Sequence, residues 1–179
     1  REVIRAGADV IKVATSGGVL SPNDQPRHPH FRLDELEEMV AEAAAAERWV
    51  MAHAQGAEGI RNAVEAGIRS IEHGIFLDEQ GIAMMLERGT WLVPTLVAPL
   101  GVIDAAEAGA SIPAASVQKA RDLVDTHRAA VGRWQRGYRG PRARAEDGRE
   151  ARPASGDRQS SRRRQHHRHR NRGQSTGGR

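Results

Sequence analysis

The chain has 179 residues and a formal net charge of +4, but its two parts differ sharply in composition. Residues 1–133 carry 13 Lys and Arg against 19 Asp and Glu, whereas residues 134–179 carry 14 Arg, no Lys and 4 acidic residues. The second part contains no Val, Ile, Leu, Met or Phe, so it cannot bury enough apolar surface to offset the entropy of ordering its backbone. One globular domain of 179 residues is therefore excluded, and we expect an acidic body over 1–133 followed by a disordered basic tail over 134–179.

Several protein classes are excluded by what the sequence lacks. There is no cysteine, which rules out disulfides, thiolate zinc sites and cysteine nucleophiles. No apolar run approaches the roughly 18–20 residues that span a bilayer. The chain begins Arg-Glu-Val-Ile, which lacks the pattern of a signal peptide. We expect that this sequence starts within a domain. We therefore expect a cytoplasmic protein with no membrane partner.

The predicted elements alternate between strands and helices. Short runs rich in β-branched residues predict strands, and apolar residues at helical spacing predict helices. Pro94 has no amide hydrogen to donate, so the last strand is expected to end or bulge there. In chain order the predictions are a strand over 9–15, a loop over 21–30, a helix over 33–48, a strand over 49–54, a helix over 57–66, a strand over 69–73, a helix over 78–88, a strand over 91–96 and a helix that begins at Pro113. This last helix is predicted to carry one stripe of residues toward the core: Val117, Ala120, Val124, His127 and Val131.

The repeated order of strand and helix favours a parallel α/β sheet with right-handed crossovers. Two architectures fit this order, a (β/α)8 barrel and an open doubly wound sheet. A barrel typically needs about 250 residues, so the four units within 1–133 would form roughly half of one. Half a barrel leaves two open sheet edges and an exposed apolar face, which predicts aggregation or oligomerisation.

Three polar residues, Lys12, His53 and His73, end three successive predicted strands. Active sites of α/β barrels are built at this end of the sheet. A single histidine there is more often a satisfied interior group, but three such residues at equivalent positions favour a metal site. Strand alternation predicts that Glu72 points outward, away from the metal, if His73 points inward. The same alternation predicts that Lys12 loses solvation inside the barrel.

Four segments together resemble the metal-dependent amidohydrolase superfamily, and the nearest branch is that of the imidazolonepropionase-related and Xaa-Pro-dipeptidase-like (prolidase-type) enzymes. The segments are Gly7–Gly18, Val50–Gly56, Ser70–Gly74 and Leu92–Leu96, and the resemblance covers about residues 1–133. It implies a partial (β/α)8 barrel made of about strands four to seven with their helices.

The same resemblance implies a role for each of the three polar residues. Lys12 matches the carbamylated lysine that bridges two divalent metals, usually zinc, and His53 and His73 match histidines that bind the second metal. In such enzymes a metal-bound hydroxide attacks an amide or related carbonyl. The implied function is therefore metal-dependent hydrolysis of C–N bonds in small amide or peptide-like substrates.

Other parts of the family pattern have no match in this sequence. The family's His-x-His pair ends strand one and its catalytic Asp ends strand eight, so no catalytic residue is identified and we expect the chain itself to be inactive. His28-Pro-His30 matches the His-x-His pattern but lies in a proline-rich loop. We therefore expect it at the rim of the site. Arg27 and His28 are candidates to meet a substrate carboxylate, the alternative being a solvated pair.

The basic tail allows two interpretations. Its arginines could bind nucleic acid by counterion release, although Trp134 and Tyr138 are too few to form a stacking platform. Alternatively, a tail rich in Arg, Gly, Pro, Ala and Ser indicates a GC-rich gene translated out of frame. We favour the second interpretation, which makes a hydrolase fragment the first hypothesis. An α/β body whose tail acts as a nucleic-acid-binding or interaction module is the alternative.

Overall fold

Four parallel strands form one sheet at the centre of the computed structural model, which describes residues 1–21 and 23–138. The strands are β1 (Val10–Ala14), β2 (Trp49–Ala54), β3 (Ser70–His73) and β4 (Trp91–Val93). The helices are α1 (Glu2–Arg5), α2 (Leu33–Ala45), α3 (Ala57–Glu65), α4 (Glu79–Arg88), α5 (Val97–Glu107) and α6 (Ala114–Gly137). The spatial order β1-β2-β3-β4 equals the chain order, as in a barrel and unlike a doubly wound sheet, in which the order reverses. The predicted α/β fold of a partial barrel is therefore confirmed.

The sheet has one covered face and one open face. On the covered face, apolar side chains from the strands are buried against helices: Val13, Val50, Ala52, Ala54 and Ile71. Leu36, Ile60, Val64, Ile82 and Met85 from the helices complete this core. Burial of these aliphatic side chains supplies the main driving force for the fold.

The open face carries two rows of side chains in register across the sheet. The first row is Lys12, Met51, Ser70 and Trp91, and the second is Ala14, His53, Glu72 and Val93. Trp91 is 59% exposed and Val93 is 41% exposed, because no element among the described residues covers them. The predicted exposed apolar face is thus present.

The ends of α4 follow the expected local chemistry, whereas those of α2 depart from it. Asp78 caps α4 by accepting a hydrogen bond from the Gly81 amide at 2.8 Å, and Gly89 ends that helix in the left-handed conformation. Arg32 provides no side-chain cap to α2; instead, the Glu35 carboxylate accepts from the Arg32 amide at 2.9 Å. Glu47 has a φ of 56°, so it occupies the left-handed position that glycine would fill with less strain.

The region after β4 differs most from the prediction. Of the strand expected over 91–96, only Trp91–Val93 forms, and its end before Pro94 confirms the expectation that this residue, which cannot donate to a sheet ladder, stops the strand. Residues 94–96 are not a strand, and helix α5 follows from Val97. This helix and the short α1 were not predicted.

The last helix, α6, begins after Pro113 as predicted. Its buried residues include Ala120, His127 and Val131 from the predicted stripe. The helix continues past Arg133 and ends at Gly137. The expectations for the remainder of the basic tail concern 139–179 and lie outside the described residues. No helix in the described ranges is long and apolar enough to cross a membrane.

Candidate functional site

Two of the three predicted metal ligands lie side by side at the carboxyl end of the sheet. The rings of His53 and His73 are 4.6 Å apart between centroids and meet edge to face. Lys12 lies on the same open face, and its positive charge contributes to lowering the pKa of both histidines. The three side chains therefore share one electrostatic neighbourhood. The expectation that Lys12 is desolvated is wrong, because its face of the sheet is open and its side chain is exposed.

His73 departs from strand geometry at the last position of β3. Its φ is 74°, and that of Thr95 is 48°, so both non-glycine residues lie in the left-handed region. The His73 Nδ1 and the Thr95 Oγ1 are 2.5 Å apart and share a hydrogen bond. Strained backbone of this kind persists only where the surroundings fix it, and it concentrates at functional sites.

Strand alternation predicted that Glu72 points away from the site, and this prediction is wrong. The register pairs Glu72 with His53, and paired residues of parallel strands project from the same face. Ser70, two residues earlier on that face, donates a hydrogen bond from its Oγ to the Glu72 Oε1 at 3.3 Å. Because His73 turns out of the alternating pattern, both Glu72 and His73 can face the open side. Glu72 thus shares the open face with His53, although this carboxylate and the two imidazoles do not gather as a metal-binding group within the described residues.

Burial keeps the imidazoles of the site in their neutral form. It is the largest cause that lowers the pKa of His73 to about 4, and the nearby His53, Lys12 and His127 lower this pKa further. Burial also lowers the pKa of His53, against the opposing effect of the Gly17 carbonyl. Neutral imidazole is the form that binds metal ions, so both side chains are ready ligands at neutral pH.

The segment after β1 holds the end of β2 in place. The Ser16 Oγ accepts hydrogen bonds from the amides of Gln55 at 2.7 Å and Gly56 at 3.3 Å. The Thr15 Oγ1 donates to the Gly59 carbonyl at 3.1 Å. Sequence reasoning did not assign these roles, although both hydroxyls belong to the Gly7–Gly18 motif. They tie the start of α3 to β1 and so position His53.

His127 reaches the site from α6. It is 1% exposed, and its Nε2 donates a hydrogen bond to the His73 carbonyl at 2.9 Å. Burial is the largest influence on its pKa and lowers it, whereas the carbonyls of His73 and Pro94 act in the opposite direction. This histidine was predicted only as part of a buried helix stripe, and neither its position nor its spacing in the sequence indicated that it meets the site.

No hydrogen bond joins the predicted substrate residues to the histidine pair within the described residues. Arg27 stacks its guanidinium over the Phe76 ring, 3.7 Å from the centroid, and His28 is exposed. His30 contacts Asp24 at 3.0 Å, and its charge lowers the pKa of His53. The loop that holds these residues therefore acts electrostatically on the site, and its position at the rim stays a prediction.

The ligands available within the described residues are few. No three His, Asp or Glu side chains gather there as a metal-binding group. What the site offers is two neutral imidazoles and a nearby lysine on the open face. Within this part of the chain neither the His53 Nδ1 nor the His73 Nε2 takes part in a hydrogen bond.

A barrel-type sheet with paired imidazoles at its carboxyl edge defines a segment of an α/β-barrel enzyme scaffold. The amidohydrolase family profile matches residues 1–137. The chain belongs to the amidohydrolase family.

Relatives of known sequence or structure agree with this assignment. The chain is 40% identical over 126 residues to an ochratoxinase from Aspergillus niger, a match that covers 69% of this chain and 25% of that protein. The crystal structure of A. niger ochratoxinase superimposes with a TM-score of 0.64 at 38% identity, covering 75% of this chain and 30% of that one. A Xaa-Pro dipeptidase with bound methionine in the active site gives a TM-score of 0.69 at 34% identity, with 75% and 33% covered. The chain thus spans about a quarter to a third of the length of these relatives.

Proposed function

We propose that this chain contributes part of the active site of a metal-dependent hydrolase that cleaves C–N bonds in small amide or peptide-like substrates. The observation that carries the proposal is the contact between two neutral imidazoles, His53 and His73, at the carboxyl edge of the sheet beside Lys12. Membership of the amidohydrolase family and similarity to a protein described as a Xaa-Pro dipeptidase support the choice of bond.

The side chains present fit a divalent metal, and we propose zinc. The His53 Nδ1 and the His73 Nε2 make no hydrogen bond within the described residues, and imidazole nitrogen is a preferred zinc ligand. Lys12, as a carbamate, would add carboxylate oxygens as the bridging ligand. When bound, such a metal lowers the pKa of a coordinated water toward about 7 and supplies the nucleophile.

The surrounding residues orient these ligands. Thr95 engages the Nδ1 of His73, which leaves its Nε2 for the metal, and the Gly17 carbonyl lies 3.2 Å from the His53 Nε2. Partners of this kind fix the tautomer and the orientation of metal-binding histidines.

The exposed Arg27 and His28 are proposed to meet the carboxylate of a substrate at the rim. The proposed location of the protein is the cytoplasm.

The 179-residue chain on its own is proposed to be inactive. The family pattern uses a His-x-His pair and a catalytic Asp for which this sequence has no match. A positioned acid or base of this type contributes about 10²–10⁴-fold to rate. The described residues would therefore bind metal weakly and would not turn over an acyl-amino acid.

The proposal is tested by titrating the purified chain with zinc and following the heat of binding. We expect His53→Ala or His73→Ala to abolish the binding, because each removes an imidazole. His28→Ala is the matched control, since His28 is exposed in the rim loop, and it should bind as the unchanged chain does. Zinc binding that survives both alanine variants would contradict the proposed site. Hydrolysis of acyl-amino acids by this chain alone would contradict its proposed inactivity.

A further inference from the structure

A cavity of about 370 Å³ lies at the amino edge of the sheet, the edge opposite the histidine pair. Its lining includes Trp49, the first residue of β2, and the residues directly before β3 and β4, which are Arg69 and Thr90. Because parallel strands carry their amino ends at one edge and their carboxyl ends at the other, this cavity is separate from the site described above. The apolar part of its lining comes from α2, from β2 and from the segment that leads into β3: Val40, Ala44, Val50 and Ile68.

Three arginines line the same cavity. Arg48 directly precedes β2, Arg69 directly precedes β3, and Arg88 is the last residue of α4, shortly before β4. Within residues 1–21 and 23–138 the lining holds no Asp or Glu, and none of the three guanidiniums forms an ion pair with a carboxylate. The cavity is thus a local concentration of positive charge in a body that has more acidic than basic residues.

Contacts within the fold hold these guanidiniums in place but use few of their donors. Arg48 donates to two backbone carbonyls at 3.1 and 3.3 Å. Arg88 donates from its Nη1 to the carbonyl of Glu65, the last residue of α3, at 3.0 Å. The Arg69 guanidinium lies over the Trp49 ring, 5.2 Å from the centroid. Since each guanidinium carries five N–H donors, most of the donors at this cavity remain for a ligand.

We propose that this cavity binds a small organic phosphate, whose phosphoryl group accepts from the guanidiniums and whose apolar part lies against the apolar lining. The fork of N–H donors on an arginine matches the oxygens of a phosphate. Like charges that line one cavity repel one another, and a dianion offsets this repulsion more fully than a carboxylate monoanion does. The volume falls within the range of roughly 300–1,000 Å³ that is typical of small-molecule sites. The inference does not depend on the proposed function.

The test titrates the full metal-free chain with phenyl phosphate and follows the indole N–H signal of Trp49 by NMR. The titration is made at about pH 8, where the probe is a dianion because the second pKa of a phosphate monoester is about 6. The chain has three tryptophans, and the signal that disappears in Trp49→Phe is assigned to Trp49. We expect this signal to shift saturably, because Trp49 lines the cavity.

Two variants locate the bound phosphate. Arg69→Gln and Arg88→Gln each remove one charge from the cavity at an exposed position. Each should weaken binding about fivefold or more, the order expected for a lost hydrogen bond between charged groups. Arg128→Gln is the matched control, since Arg128 is exposed on α6 and does not line the cavity. All three variants keep the arginines of residues 139–179, so any phosphate that these attract is the same in each comparison.

Two further probes separate the parts of the ligand. Benzoate keeps the ring but carries a single charge, and inorganic phosphate keeps the charge but lacks the ring, so both should bind more weakly than phenyl phosphate. The inference is overturned if phenyl phosphate does not shift the Trp49 signal, or if either Arg69→Gln or Arg88→Gln binds it as the control does. Equal affinity for benzoate or for inorganic phosphate would overturn the proposed class of ligand.

Discussion

His73 combines a ligand-ready imidazole with a backbone conformation that suits glycine or asparagine better. The conformation is supported from two sides: Thr95 holds the ring at its Nδ1, and His127 holds the carbonyl. The strain at this residue costs on the order of 1–3 kcal/mol. This conformation places the His73 ring against that of His53. Thr95 and His127, which hold His73 in this conformation, are therefore positioning residues.

Thr95→Val should lower zinc affinity by about tenfold to a hundredfold, the usual effect of losing a partner that orients a metal-binding histidine. Valine keeps the β-branched shape of threonine and removes only the hydroxyl, so the backbone strain at this position is unchanged. Isothermal titration with zinc gives the affinity. Thr90→Val, which removes a hydroxyl at the amino end of β4, serves as the control. An unchanged zinc affinity in Thr95→Val would show that the hydroxyl does not orient His73.

At the residue scale, the sequence predicted the contact between His53 and His73 better than it predicted how the side chains are oriented. Lys12 was expected at the end of a strand as well, but it lies in the middle of β1, one row behind His53 on the same face. The orientation of Glu72 was mispredicted because a period of two holds only while each residue stays in the β conformation. The left-handed backbone at His73 ends the alternation, and a histidine at this position does not by itself predict that conformation.

Among the elements, α3 passes very close to the backbone at the end of β1. A Cβ atom added at Gly59 would lie 2.6 Å from the Thr15 carbonyl oxygen, which is backbone and cannot move aside. The close approach lets the Thr15 hydroxyl reach the Gly59 carbonyl. The start of α3 and the end of β1 are therefore fixed as one unit, on which the position of His53 depends.

Gly59→Ala should accordingly destabilise the fold by about 1–3 kcal/mol, the typical cost of overpacking. Gly101→Ala is the matched control, because Gly101 also lies within a helix but has nothing within 4 Å of the added Cβ. That change should be neutral or stabilise by up to about 1 kcal/mol through helix propensity. Urea unfolding followed by circular dichroism measures both. Equal midpoints for the two variants would contradict the close contact.

The order of elements in the sheet was predictable, and the helix after β4 was not. Strands β1 to β3 and their helices have the β-branched runs and the helical spacing that define them, and their predicted positions agree with the structure. Helix α5 contains Pro99 and Gly101 and has Val97 exposed at its start, so it lacks a clean amphipathic pattern. It is stabilised by packing against α6, a tertiary effect that local sequence does not encode.

For the molecule as a whole, two half-buried histidines, His53 and His73, and the buried His127 couple folding to pH. Burial lowers the pKa of His53, His73 and His127 in the folded chain, whereas unfolded histidines titrate near about 6.5. Below that pH the unfolded state binds more protons than the folded state, so stability falls as pH falls. For His73 the loss accumulates between its unfolded pKa and its folded value of about 4.

The metal-free chain should therefore show a urea midpoint that is constant above about pH 7.5 and declines steadily from pH 6.5 toward pH 4.5. His73→Asn should have a shallower decline, since asparagine does not titrate and tolerates a left-handed backbone. His28→Asn, in the exposed rim loop, should retain the full decline. A midpoint in His73→Asn that depends on pH as steeply as in the unchanged chain would count against the coupling.

The open face of the sheet bears on the state of the whole chain in solution. Trp91 and Val93 expose apolar surface there, and the outer strands β1 and β4 each have one edge that pairs with no other strand of the described sheet. Such features favour association between chains. Aggregation or oligomerisation of the isolated chain stays a prediction, to be checked by light scattering.

A cavity of about 230 Å³ beside His53 and His73 is lined by two kinds of element, and this has a consequence for protein engineering. The imidazoles stand on the sheet and its immediate extension, whereas Ala98, Pro99 and Val102 reach the cavity from α5, which rests on α6. Substitutions in that helix can reshape the apolar wall without displacing a strand. Libraries confined to Ala98 and Val102 should therefore yield altered ligand preference with little loss of foldability, so selectivity and chemistry can diversify independently in this scaffold.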